Sequence, residues 1–272
     1  MPTTEVGGNT LFYERRGSGD PLVLIMGMSG NSAHWDAPFA DRLERDFELL
    51  MFDNRGIGRS SPVSADFTIR DMADDTTALM DAVGLDSAHV MGISMGGMIA
   101  QELAVAAPER VRRLVLGCTY PGGPGSSLAG PDVMQRLAGP MMSGDREAAI
   151  RAGWEANVSR GFAAQDEHWN RFHDVATRHP ASVELIIRQM GAVGQHDASD
   201  RLAQISAPTL VIHGTDDEML SVRNAELIAE KIPGARLEVL DGVGHLFFWE
   251  KPDLSAQLVS EFLAGVDEPA AA

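Results

Sequence analysis

Short apolar runs bounded by turn residues recur along the chain and predict seven strands. A GGN turn precedes the first run, so residues 3–16 are expected to form a hairpin whose second strand covers 10–16. The next four runs do not alternate between apolar and polar residues, which is typical of parallel strands buried on both faces. The predicted strands cover residues 10–16, 21–27, 47–53, 88–94, 112–118, 208–214 and 236–242.

Helical patterns lie between these runs. Residues 68–84 begin with the capping pair Thr68 and Asp71, repeat apolar residues at helical spacing and stop at a glycine. Residues 95–108 and 221–234 follow later strands and show comparable patterns. Strands and helices that alternate at this spacing predict an α/β fold with a doubly wound, mostly parallel sheet.

One long segment, residues 119–208, contains no convincing strand run. It opens with the glycine- and proline-rich stretch YPGGPGSSLAGP, and a structureless loop of this length is implausible in a compact domain. We therefore predict an inserted helical cap, with that stretch as its hinge, on a core made of residues 1–118 and 209–272. The expected cap helices cover residues 131–138, 145–160, 166–178 and 182–193. The final DEPAAA is expected to be frayed.

Composition and charge exclude several classes of protein. The 272 residues are 44% hydrophobic and 22% charged, which is typical of a soluble globular protein. The net charge of −17 argues against binding to nucleic acid or to anionic membranes. Cys118 is the single cysteine, so no intrachain disulfide and no metal-binding cysteine pair is possible. No signal peptide or membrane-spanning run is evident, and a cytoplasmic protein is expected.

The chemistry is indicated by Gly92-Ile93-Ser94-Met95-Gly96. Alone, this spacing is a weak signal that glycine-rich sequences produce by chance. Here it follows a predicted strand and begins a predicted helix, which is the context of a nucleophile elbow. A turn this tight needs small residues on both sides of the serine. The N–H of Met95 at the helix N-terminus could then stabilise a developing oxyanion.

A serine nucleophile needs a base, and the base needs an acid to orient it. His245 lies in a glycine-flanked loop after the last predicted strand, where its side chain can reach the carboxyl edge of the sheet. His213 lies inside a strand end, and we expect it to be mostly structural. Asp216 and Asp217 follow that strand, and from the residues alone either could serve as the acid. The other histidines are expected to be on the surface or in packing: His34, His89, His168, His173, His179 and His196.

The order of these residues resembles that of the α/β-hydrolase superfamily, over residues 10–265. In that family the acid is the fourth residue of a G-x-x-D pattern after the sixth parallel strand, which implies Asp217. The histidine lies in a G-x-G-H loop, matched here by Gly242-Val243-Gly244-His245. The stretch FDNRGIGRSS resembles the family's D-x-R-G-x-G-x-S loop, whose role is mainly structural, so no chemistry is assigned to Arg55.

The chain departs from the family pattern after the strand at residues 21–27. Relatives usually have His-Gly there, whereas this chain has Met26-Gly27. In relatives the residue after the glycine donates its backbone N–H to the oxyanion, which implies Met28 here, with Ser29 as the alternative. Because the donor is a backbone group, the loss of the histidine need not abolish the oxyanion hole.

The resemblance implies acyl transfer to water through an acyl-enzyme, catalysed by Ser94, His245 and Asp217, with no metal or organic cofactor. We expect a carboxylesterase that acts on a small, largely apolar ester or lactone. A substrate pocket between the sheet edge and the cap is expected, although methionines among helices are more often core residues. Its candidate lining residues are Met28, Met95, Met141, Met142 and Trp154.

Several other functions share this triad. Enol-lactonases, polyketide methylesterases, C–C hydrolases and cofactor-free perhydrolases all remain open. Dehalogenases and epoxide hydrolases of this fold use an aspartate in place of Ser94 and are disfavoured. The sequence has no Lys/Arg cluster that would mark a coenzyme A site, which weakly disfavours a thioesterase. From a different class, a small-molecule receptor with this fold would show cap movement with slow turnover. Fold and triad therefore define the reaction type better than the substrate.

Overall fold

Eight strands form one sheet in the computed structural model, which describes residues 2–265 of the chain. All seven predicted strands are present, and the predicted hairpin contains the first two strands. The DEPAAA end lies outside the described residues. The strands are Thr3–Val6 (β1), Asn9–Arg16 (β2), Asp20–Ile25 (β3), Phe47–Phe52 (β4), Ala88–Ile93 (β5), Val111–Gly117 (β6), Thr209–Gly214 (β7) and Arg236–Leu240 (β8).

The sheet is mostly parallel, as predicted. Its strand order is β1-β2-β4-β3-β5-β6-β7-β8, and only the pairings of β1 with β2 and of β2 with β4 are antiparallel within the described chain. The parallel ladder places Ile25 opposite Gly92 and Ile93 opposite Gly117. The ends of β3, β5 and β6 therefore lie side by side at the carboxyl edge of the sheet.

Eleven α-helices connect and cover these strands in the described part of the chain. The predicted capping box is present: the Thr68 side chain accepts from the Asp71 amide, and the Asp71 side chain accepts from the Thr68 amide. The helices are Ala37–Leu43 (α1), Ile69–Ala82 (α2), Met95–Ala106 (α3), Pro131–Ser143 (α4), Arg146–Asn157 (α5), Arg160–Ala163 (α6), Asp166–Arg178 (α7), Val183–Gly194 (α8), Val222–Lys231 (α9), Phe247–Glu250 (α10) and Pro252–Leu263 (α11).

The sheet is buried on both faces, which explains why its central strands do not alternate in polarity. Along β3, Val23 and Ile25 pack into one apolar cluster, whereas Leu22 and Leu24 pack into a second. Successive side chains of a strand point to opposite faces, so the two clusters are the two sides of the sheet. Helices α2, α3 and α9 cover the first side, and α1, α10 and α11 cover the second.

Four helices, α1, α6, α10 and α11, are absent from the sequence predictions. Helices α6 and α10 have four residues each, which is too short for a repeat of apolar positions. Helix α11 carries a readable stripe, because Ala256, Val259 and Phe262 are buried at helical spacing. The helix directly follows the DGVGHLFFWEKP loop, and no clear start signal in the sequence separates the two.

The chain between β6 and β7 contains helices α4 to α8, which we call the α4–α8 segment (residues 119–208). It is joined to the rest of the structure by polar contacts at separate points, including an ion pair of 3.2 Å between Arg171 and Asp36. The Leu246 amide donates to the Asn157 carbonyl at 2.8 Å. Among residues 2–265, no helix is long and apolar enough to cross a bilayer.

Candidate active site

The candidate site lies where the order of the strands reverses. The chain passes from β3 to β4 on one side of β3 and then to β5 on the other side. In such sheets this arrangement opens a crevice at the carboxyl ends of the strands, where ligands bind. The loop after β3 and Ser94 after β5 border that crevice.

Ser94 lies in a strained turn between β5 and α3. Its backbone angles are φ 56° and ψ −122°, a region that side chains rarely adopt. A Cβ on Gly96 would lie 2.0 Å from the Ile25 carbonyl oxygen, and one on Gly92 would lie 2.2 Å from the Gly96 carbonyl oxygen. Glycine is therefore required at both positions. Ser94 itself is partly exposed, although its neighbours in the chain are buried.

The backbone of Ser94 is held by the neighbouring strand. Its amide donates to the Gly117 carbonyl at 2.9 Å. Its carbonyl accepts from the Gly97 amide at 2.9 Å and from the Thr119 hydroxyl at 2.6 Å. These hydrogen bonds offset the strain of the turn and fix the serine at the edge of the sheet.

Of the two candidate acids, the structure brings Asp217 to His245. Asp217 Oδ2 is 2.7 Å from His245 Nδ1, and the Asp217 side chain is fully buried. Its Oδ1 accepts from the amides of Met219 at 2.8 Å and Leu220 at 2.9 Å. Asp216, in contrast, is exposed, and within the described chain its side chain accepts only from the adjacent Thr215 hydroxyl.

The charge of Asp217 determines the tautomer of His245. Burial opposes ionisation of this carboxyl, but the adjacent His245 and His213 imidazoles outweigh it and lower the pKa of Asp217 well below its ordinary value. The ionised carboxylate requires a proton on His245 Nδ1, so that Nε2 carries the free lone pair. His245 can therefore act as a general base through Nε2.

The loop that carries His245 is fixed by Glu250 and by the α4–α8 segment. Glu250 Oε1 accepts from the Gly244 amide at 2.8 Å and from the Ser159 amide at 2.8 Å. A Cβ on Gly244 would lie 2.7 Å from the backbone of Val158. The histidine loop and the α5–α6 connection are therefore in direct backbone contact.

Two backbone amides are available as an oxyanion hole. Within residues 2–265, neither the Met28 amide nor the Met95 amide donates to another protein atom. The Ser29 amide does have a partner, the side-chain oxygen of Gln189, at 2.9 Å. Of the two residues that the sequence left open after Gly27, Met28 is therefore the one whose amide is free.

Gln189 is a site residue that sequence reasoning missed. It lies on the buried face of α8 between Leu185 and Ala192, and its own exposure is 0%. Its Oε1 holds Ser29, while its Nε2 has no hydrogen-bond partner in the described chain. A polar residue on the apolar face of an amphipathic helix is the signal that could have identified it.

The three candidate pocket residues in the α4–α8 segment have different environments. Trp154 is fully buried, packs at a tilt against Phe172 and edge-to-face against Trp249, and donates its indole N–H to the Ala163 carbonyl. Met142 is 78% exposed, and Met141 is half-buried next to it. Contact of these three side chains with a substrate stays a prediction.

The FDNRGIGRSS stretch is held by its own hydrogen bonds. Asp53 is fully buried and accepts from the Ser32 amide at 2.8 Å and from the Arg59 amide at 2.9 Å. Arg55 pairs with Asp75 at 2.6 Å. These contacts stabilise the turn after β4, and the Arg55 guanidinium is engaged by α2.

Cys118, Asp217 and His245 are a group whose donor atoms lie within 4.8 Å of one another. Burial, and then the negative charge of Asp217, raise the pKa of the Cys118 thiol well above its ordinary value. A metal would need the thiolate and a free carboxylate oxygen. Because the thiol stays protonated and both Asp217 oxygens accept hydrogen bonds, this donor set does not favour a metal.

The fold and the site define the class of protein. The family described as alpha/beta hydrolase fold matches residues 20–252. The chain belongs to this family, and it is a hydrolase of the α/β-hydrolase type.

Known proteins of this family resemble the chain over nearly its whole length. One is provisionally named carbamate hydrolase RutD, from Azorhizobium caulinodans, and is 29% identical over 98% of this chain and 100% of its own. The structure of an enol-lactonase from Burkholderia xenovorans has a TM-score of 0.85 at 25% identity and covers 97% of this chain and 100% of its own. The structure of an enzyme described as degrading N-acyl homoserine lactones has a TM-score of 0.79 at 28% identity. It covers 96% of this chain and 100% of its own.

Proposed function

We propose that this protein is a carboxylic ester hydrolase that uses Ser94, His245 and Asp217 through an acyl-enzyme. The observation that carries the proposal is the 2.7 Å hydrogen bond between Asp217 Oδ2 and His245 Nδ1. It leaves His245 Nε2 as the base on the same sheet edge as a strained, partly exposed serine. This is the arrangement that acyl transfer requires.

In the proposed reaction, His245 Nε2 takes the proton of the Ser94 hydroxyl as its oxygen attacks the ester carbonyl. The amides of Met28 and Met95 donate to the oxyanion of the tetrahedral intermediate, a contribution of about 3 kcal/mol per donor. The protonated His245 gives its proton to the leaving alcohol. It then activates a water molecule that releases the acid from Ser94. Asp217 holds the imidazole and stabilises its charged form throughout.

The names of the relatives support a substrate with an acyl carbonyl. One is provisionally named a carbamate hydrolase, and two act on lactones, which are cyclic esters. We infer that this chain acts on a small, largely apolar ester or lactone. The α4–α8 segment (residues 119–208) is proposed as a cap on the core of residues 1–118 and 209–272, with the half-buried Met28 in the pocket floor. The expectation that Met95 also lines the pocket is not supported, because its side chain is fully buried in the apolar core.

A substrate series tests the proposal. Aryl esters with acyl chains of two to eight carbons and a small N-acyl lactone should be hydrolysed with multiple turnovers, with a maximum at one acyl length. Turnover of esters but not of the lactone would define a carboxylesterase, and the reverse would define a lactonase. A single turnover accompanied by cap movement would contradict the proposal and favour a receptor.

Gln189 provides a test of the oxyanion loop. Gln189→Met removes the acceptor of the Ser29 amide, so the loop that carries Met28 loses its fixed position. We expect kcat for the best aryl ester to fall roughly tenfold, with little change in KM, since one hydrogen bond of about 1–2 kcal/mol is lost.

The matched control is Gln195→Met, in an exposed glutamine directly after the same helix whose Nε2 donates to the Gly191 carbonyl. Steady-state kinetics should separate the two variants. An equal loss in both would indicate a general effect on α8 and would contradict the role given to Gln189.

A further inference from the structure

A second histidine faces the carboxylate of Asp217. His213 is the penultimate residue of β7, and its exposure is 0%. Its Nε2 is 3.1 Å from Asp217 Oδ2, the same oxygen that accepts from His245. The same nitrogen donates to the Leu220 carbonyl at 2.9 Å. His213 therefore contacts both ends of the turn formed by residues 217–220.

The contacts define the proton on His213. Nε2 faces two oxygens that can only accept, so it must carry a hydrogen. Nδ1 is buried and has no partner in the described chain. A proton on Nδ1 would be a buried donor without an acceptor, which costs about 1–3 kcal/mol. The N–H on Nε2 is therefore shared between Leu220 and Asp217.

The titratable groups near this carboxylate come from several elements. His213 lies on β7, His245 follows β8, and Cys118 follows β6 with its sulfur within 4.8 Å of a ligand atom of Asp217. Glu250 of α10 adds a negative charge close enough to affect Cys118. Of these groups, His213 and Cys118 approach Asp217 but have no part in the proposed proton transfer.

We propose that His213 is a positioning residue for the acid of the triad: its shared N–H holds Asp217 Oδ2 in line with His245 and limits the negative charge that this oxygen presents to the imidazole. The inference rests on the proposed function, because it concerns the same acid–base pair. Without that N–H, Oδ2 would stabilise the protonated, inactive form of His245 more strongly. The inactive form would then persist to higher pH.

The pair His213→Gln and His213→Met tests this role. Glutamine can place an amide N–H near the position of Nε2, whereas methionine has a similar length and no donor. In kcat/KM profiles with an aryl ester, we expect the acid limb of the Met variant to move to higher pH by about half a unit, with the Gln variant close to wild type. If kcat fell equally at every pH and the acid limb did not move, His213 would act through packing alone, and the proposal would be overturned.

A readout without turnover separates this proposal from the proposed function. In the Ser94→Ala background, proton NMR can follow the His245 Nδ1–H that is bonded to Asp217. We expect this proton to move downfield in the Met variant and to remain in place in the Gln variant; an unchanged proton in both contradicts the role of His213. If the Met variant does not fold, His213→Asn replaces it, because its shorter side chain ends before Asp217. Absence of ester hydrolysis in the wild type would refute the proposed function alone.

Discussion

Replacing Ser94 with alanine is expected to lower kcat/KM for aryl esters by about 10⁴-fold or more, because the substitution removes the hydroxyl that forms the proposed acyl-enzyme. The fold should tolerate the change. The Ser94 hydroxyl has no hydrogen-bond partner in the described chain, and the backbone contacts to Gly117 and Thr119 do not involve the side chain. Thermal unfolding should therefore occur within a few degrees of wild type.

The measurement combines steady-state kinetics with labelling by a fluorophosphonate, which reacts with activated serines. Wild type should gain one label on Ser94, and Ser94→Ala should gain none. Ser143→Ala is the matched control, because Ser143 is an exposed serine on α4 that donates to the Pro140 carbonyl. Hydrolysis that survives in Ser94→Ala would refute the assignment of the nucleophile.

Asp217→Asn is expected to reduce kcat by about 10³–10⁴-fold. The asparagine amide can present an N–H to His245 Nδ1, which favours the tautomer with its proton on Nε2. The lone pair that should accept the serine proton is then lost. The variant also leaves the Met219 and Leu220 amides with a weaker acceptor, so a moderate loss of stability is expected as well.

The neighbouring acid gives the control for this prediction. Asp216→Asn removes the same charge one position earlier, from an exposed side chain that does not contact His245. Its kcat should stay within a few-fold of wild type. Equal losses in the two variants would mean that charge near the loop, rather than the Asp217–His245 hydrogen bond, supports the activity.

The contribution of Asp217 to the free energy of unfolding should decrease as the pH falls. Because folding lowers the pKa of this carboxyl, its contribution to the free energy of unfolding is fully present above the ordinary value of 3.8. That contribution is lost only as the pH falls below this value. The carboxylate therefore stays ionised at neutral pH.

The fold could be predicted because the uniformly apolar composition of the central strands indicates that they are buried. Runs such as PLVLIMG have no polar face, and only a sheet covered on both sides accommodates them. Helix α11 was missed although its apolar stripe is regular, since no clear start signal separates it from the preceding loop. The four-residue helices α6 and α10 depend on tertiary contacts for their formation, so local pattern cannot reveal them.

The candidate site could be predicted from the sequence only where its residues belong to a local motif. The glycines on either side of Ser94 form such a motif. They are required because a Cβ at either position would collide with the backbone. Asp216 and Asp217 look alike in sequence, and only the folded turn makes one of them buried and hydrogen-bonded. Gln189 meets Ser29 across 160 positions of chain, a contact that no local pattern contains. His213 and Asp217 are only four residues apart, yet a histidine near the end of a buried strand gives no sign in the sequence that it contacts this carboxylate.

Different parts of the fold position the proposed oxyanion donors and the proposed base His245. The proposed oxyanion donors Met28 and Met95 come after β3 and β5, which are neighbours in one hydrogen-bonded ladder, and Met28 lies in the loop held by Gln189. His245 instead belongs to a loop that is bonded to Asn157 and, through Glu250, to Ser159. Sequence change around Asn157 and Ser159 can therefore adjust the position of the proposed base, whereas the proposed oxyanion loop depends on Gln189 of α8.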